Sequence, residues 1–132
     1  MREPEEIHSL MSNALDGIRS KGIEIAYPSV RARSEPSRVR VMPSWIQRFG
    51  LLAEETSIWI WCEPQADAAV SFPSQIVIDL PAGRYLIDVL DASTHACISR
   101  ESAAAKPLVA GLPFTGSPIV LWIRRIGTGK EL

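Results

Sequence analysis

The chain is poor in the residues that anchor small scaffolds and metal centres. Its 132 residues include two cysteines and two histidines, too few for a disulfide framework or a structural zinc site. No apolar run approaches the roughly 20 residues that a membrane-spanning helix requires. The opening Met1-Arg2-Glu3-Pro4-Glu5-Glu6 is acidic, unlike a secretory signal. The expectation is therefore no membrane partner, and a cytoplasmic setting if the chain is complete. An excess of one charge is lacking too: 14 Lys and Arg face 15 Asp and Glu, a formal net charge of -1. Such a balance provides no strong field to draw nucleic acid or an anionic membrane. Arg31, Arg33, Arg38, Arg40 and Arg48 do cluster. Yet Arg38 and Arg40 alternate with Val39 and Val41, as on a solvated strand face, and Glu24, Glu35, Glu54 and Glu55 nearly balance them. No nucleic-acid partner is expected.

Catalytic signatures are equally scarce. There is no Gly-x-Ser-x-Gly, and Gly127-Thr128-Gly129-Lys130 ends the chain with no helix after it to cradle a phosphate. His8 and His95 have no second ligand at helical spacing, so no metal and no cofactor is expected. Cys62 and Cys97 read as two free, buried thiols, with a disulfide between them as the alternative. Asp88 stands between Ile87 and Val89 on a face shared with Leu86 and Leu90. A carboxylate there needs a partner such as Arg84, Arg100 or Arg124, which favours a structural salt bridge over a catalytic acid. A small enzyme using Asp88, Glu54 or His95 is the remaining catalytic alternative; Glu54 and Glu55 otherwise read as solvated neighbours.

What is present is one globular domain's worth of apolar residues, 46% against 22% charged. Ile7, Leu10, Met11, Ala14, Leu15 and Ile18 recur at steps of three and four, which predicts an amphipathic helix over about 4–21. Pro4 suits its first turn, Glu5 and Glu6 its positive end, and Gly22 its left-handed exit. From Ile23 the period falls to two. Strands are expected at 23–27, 39–41, 57–63, 76–80, 85–90, 96–100, near 108 and at 119–123, with Gly50 in a connection and the longest loop over 28–36. Leu80-Pro81-Ala82-Gly83-Arg84 predicts a three-residue turn pairing about 75–80 with 84–91 as a hairpin. The resulting fold class is all-β: an immunoglobulin-like antiparallel β-sandwich with one N-terminal helix. Residues 1–22 form the helix, packed on the sandwich or a partner, 23–126 the sandwich, and 127–132 a flexible tail.

Two strands carry apolar residues on both faces. Ile58, Ile60 and Cys62 oppose Trp59 and Trp61, while Ile119, Leu121 and Ile123 oppose Val120 and Trp122. A half-wet antiparallel sheet shows polar residues on its outer side. Here both sides need cover: one from the facing sheet, the other from the N-terminal helix or a domain outside this chain. Trp59, Trp61 and Trp122 are also the best ligand-binding candidates, because indole faces stack on sugar rings while the N–H meets a hydroxyl. Core filling is the preferred role.

The stretches Ile58-Trp59-Ile60-Trp61, Ile76 to Tyr85, Asp88 to Thr94, Leu112-Pro113-Phe114-Thr115-Gly116 and Ile119 to Arg124 resemble the accessory β-sandwich modules that close many glycoside hydrolase chains. The likeness spans roughly 56–125. It departs after Asp91, where His95 stands in place of an expected glycine. The resemblance implies a non-catalytic module that packs on a catalytic domain or a second subunit, or binds a polysaccharide; a homodimer is expected if the Trp59/Trp61 face is left bare. No catalytic residue carries over, since in those enzymes the acid and nucleophile lie on a barrel.

Overall fold

The computed structural model describes residues 3–65 and 74–127. Among the described residues, helix α1 (Pro4–Ser20) is followed by nine strands: β1 (Arg33–Ser34), β2 (Val39–Val41), β3 (Ile46–Ala53), β4 (Ser57–Pro64), β5 (Gln75–Ile78), β6 (Gly83–Asp91), β7 (Cys97–Ala105), β8 (Leu108–Gly111) and β9 (Ile119–Gly127). They form two antiparallel sheets, a six-stranded one in the order β1-β3-β4-β9-β6-β7 and a three-stranded one in the order β2-β5-β8. The predicted tail lies outside the described residues from Thr128 onward.

Helix α1 forms where its stripe and ends predict. The Glu6 side chain accepts a hydrogen bond from the Glu3 N–H at 3.4 Å, and Gly22 leaves the helix at φ +86°. In a folded protein most of a helix's stability comes from packing its apolar face. Burial of Ile7, Met11, Leu15 and Ile18, each at most 1% exposed, adds about 1.5–3 kcal/mol per side chain. Their counterpart is the outer face of the large sheet: Leu52, Trp59, Trp61, Leu90, Val120 and Trp122 share one apolar cluster with the helix stripe. The opposite face, carrying Leu51, Ile58, Ile60, Cys62, Ile87, Val89, Leu121 and Ile123, packs on Ile76, Ile78, Leu108 and Ala110 of the small sheet. The two-faced strands β4 and β9 sit side by side at the centre, with Trp59 opposite Trp122. They are covered on both sides from within the chain.

Three expectations are corrected. Residues 46–53 are a strand rather than a connection. Gly50 sits in its middle because the helix leaves no room there: a Cβ at Gly50 would fall 2.3 Å from Ile7 Cδ1. Residues 23–27 belong to no sheet. Their carbonyls are bound by side chains instead, Ile25 O by Arg19 Nη2 at 2.7 Å and Ala26 O by Trp59 Nε1 at 3.0 Å. Finally, β5 and β6 are not a hairpin. Strand β5 pairs with β2 and β8, whereas β6 pairs with β7 and β9. The Leu80–Ala82 link therefore crosses between sheets, and the Tyr85 hydroxyl ties it down by donating to Pro81 O at 2.8 Å.

Candidate functional site

Antiparallel register assembles the site. On the helix side of β6, Asp88 lies directly opposite Arg100 of β7 and Trp122 of β9. Arg124, two residues along β9, projects from the same face. The Asp88 carboxylate is 1% exposed. It accepts from Arg100 Nε at 2.7 Å, Arg100 Nη2 at 3.1 Å and Arg124 Nη2 at 2.8 Å. The Arg100 pair is a two-point fork, the strongest geometry for this contact. Asp88 in turn raises the Arg100 pKa through that hydrogen bond and its charge. The Arg124 guanidinium also lies over the Trp122 ring, 3.7 Å from its centroid, a cation–π contact. Of the three arginines considered for Asp88, Arg84 turns away to Ser102 Oγ at 3.3 Å.

A groove of about 900 Å³ opens beside this cluster, lined by Arg19, residues 23–26, Cys97, Arg100, Trp122 and Arg124. One of its walls is the segment after the helix, residues 23–26. That wall is held in place by the bonds from Arg19 and Trp59, and Arg19 stacks on Tyr27 at 4.5 Å. The Tyr27 hydroxyl donates to Asp16, which raises its pKa. Three buried N–H groups lack an acceptor among the described residues: Trp61 Nε1, Trp122 Nε1 and Arg124 Nε. Two of these belong to residues that line the groove.

The other candidates are placed apart. Glu54 accepts from the Ser29 N–H at 2.6 Å. Asp91 closes its own turn, its Oδ1 accepting from the N–H groups of Ser93 and Thr94 at 2.8 and 3.0 Å. His95 ends that turn at φ +63°, a left-handed backbone conformation uncommon outside glycine. Its ring lies where a Gly17 side chain would go, 2.2 Å from the ideal Cβ position. Among the described residues no three His, Cys, Asp or Glu converge as metal ligands. Cys62 and Cys97 are both free. Cys62 is buried, which pushes its thiol up to about 12. Cys97, expected in the core, is exposed beside the groove because β7 is an edge strand.

Trp59, Trp61 and Trp122 are 1%, 5% and 6% exposed beneath α1, so no flat indole platform faces solvent. The groove itself escaped sequence reasoning. Its one signal was Asp88 in an apolar run, which pointed to arginine partners but not to the cavity beside them. Comparison with protein-family models, with curated proteins and with solved structures finds no match.

Proposed function

We propose that this chain is a non-catalytic accessory module of the kind that closes glycoside hydrolase chains, and that it acts by binding. The observation that carries this reading is the commitment of Asp88. Three of the four lone-pair positions of a carboxylate are taken by guanidinium donors, and 1% exposure leaves the group out of a substrate's reach. A general acid or base has to come within hydrogen-bond distance of the proton it moves. Asp88 instead holds two arginines at the rim of an open groove, an arrangement suited to recognition.

An immunoglobulin-like type for the sandwich is part of the same proposal. Its support is the Tyr85–Pro81 bond across the β5–β6 crossing, which has the form of the tyrosine corner found at sheet-to-sheet crossings of such domains. The protein partner in this reading is a hydrolase catalytic domain, with a second subunit as the alternative.

Affinity electrophoresis in gels containing soluble polysaccharides, run beside assays for released reducing ends, tests the reading. Retardation without turnover is expected. Turnover that disappears in Asp88→Asn, with the near-ultraviolet circular dichroism unchanged, would refute it.

A further inference from the structure

We infer that the groove beside Asp88 is a receptor for an oxyanion, a carboxylate or phosphate, carried on a small molecule. The inference rests on the binding-module reading and names the ligand chemistry of the same site. Charge is its first support. Three guanidiniums, Arg19, Arg100 and Arg124, line or rim the cavity, against the carboxylates of Asp88 and Glu24. Asp88 is buried and already spent on two of the three.

Unused donors are the second support. Of its five N–H groups, Arg100 commits Nε and one on Nη2 to Asp88, and its side chain remains 53% exposed. Arg124 keeps a buried Nε without an acceptor, and Trp122 keeps a buried Nε1 in the same condition. Buried donors nearly always find a partner in folded proteins. Here two neighbours on one strand, stacked on each other at 3.7 Å, lack one. An oxyanion bound in the groove that both residues line supplies the missing acceptors.

Preorganisation is the third. Asp88 fixes Arg100 by a two-point fork, and Arg124 is held by Asp88 and the Trp122 face. Both guanidiniums are therefore in position before a ligand arrives, which lowers the ordering cost of binding. Size argues that the oxyanion is not alone. About 900 Å³ falls within the range of small-molecule sites, and the half-buried Ile23 offers apolar surface to a ligand body.

Cys97 gives the test a reporter, since its thiol is exposed at the groove and Cys62 is enclosed. The alkylation rate of Cys97 by iodoacetamide is measured with inorganic phosphate, with trigalacturonic acid, with neutral maltotriose and with sodium chloride at matched ionic strength. Protection of several-fold by phosphate or trigalacturonate, absent with maltotriose and chloride, is expected. Which of the two protects identifies the source of the oxyanion. Arg100→Gln and Arg19→Gln, both at exposed side chains, should each weaken that protection about tenfold in probe concentration. No protection by either anion, equal protection by maltotriose, or protection unchanged in both variants would overturn the inference. Those outcomes leave the accessory-module reading standing. Turnover dependent on Asp88 would remove that reading without altering the protection result.

Discussion

Gly50→Ala tests how the helix is seated. In an ordinary strand interior this exchange stabilises by about 0.5–1 kcal/mol, because glycine loses more backbone freedom on folding. Here the new Cβ falls 2.3 Å from Ile7 Cδ1 and 2.5 Å from Cγ1. Ile7 is 1% exposed, so it gives way only by leaving its rotamer or lifting the first turns of α1. Overpacking of this kind costs about 1–3 kcal/mol. The net expectation is a loss of about 0.5–2 kcal/mol. Ile7→Ala alone opens a cavity and should cost about 2–5 kcal/mol. In the double variant the alanine at 50 occupies part of that cavity and no longer clashes. Gly50→Ala should then be neutral or stabilising, a coupling of about 1–3 kcal/mol. Urea denaturation followed by tryptophan emission gives all four corners of the cycle. Equal stabilisation by Gly50→Ala in both backgrounds would show that Ile7 does not sit over Gly50.

Other consequences concern the thiols and the crossing between sheets. In the native protein one thiol, Cys97, should react with Ellman's reagent, and Cys62 should appear only on unfolding. Because burial raises the folded Cys62 pKa from its ordinary 9.0 to about 12, its contribution is whole below pH 9 and is lost between pH 9 and 12. The loss is at most about 1.4 kcal/mol per pH unit, and Cys62→Ala should flatten that part of the stability curve. Tyr85 is likewise raised by burial, so its contribution is present below pH 10 and falls as pH climbs through the raised value. Tyr85→Phe removes the bond to Pro81 O and should cost about 0.5–1.5 kcal/mol at neutral pH. An unchanged urea midpoint would show that the corner bond adds nothing.

Local features were legible in the sequence; long-range pairings were not. The 3.6-residue stripe placed α1 almost to the residue. The apolar character of both faces in 58–62 and 119–123 required a sheet covered twice, and the chain supplies both covers. Gly50 hid β3, since a glycine inside an alternating run reads as a break when the helix above it is unseen. Ile23 and Ile25 imitated a strand because alternation reports which side chains are buried, not what binds the backbone. The partners there are Arg19 and Trp59, fixed only once the helix has docked. At Leu80–Arg84 the turn residues read as a hairpin, whereas the chain crosses there from the small sheet to the large one. Whether the chain stays in one sheet or crosses to the other depends on β2 and β8, neighbours far away in sequence. Asp88 announced its need for arginine, but the choice of Arg100 and Arg124 over Arg84 follows from register across β7 and β9.

Acrylamide quenching of the intrinsic fluorescence is the most direct test that the large sheet has no wet face. All four tryptophans are at most 6% exposed, three of them beneath α1 and Trp45 in the core between the sheets. Emission shifted to the blue is expected, with a quenching constant far below that of free tryptophan for the whole signal. A fraction of the emission as accessible as free tryptophan would place Trp59, Trp61 or Trp122 in water, and would contradict the covering of the sheet by the helix.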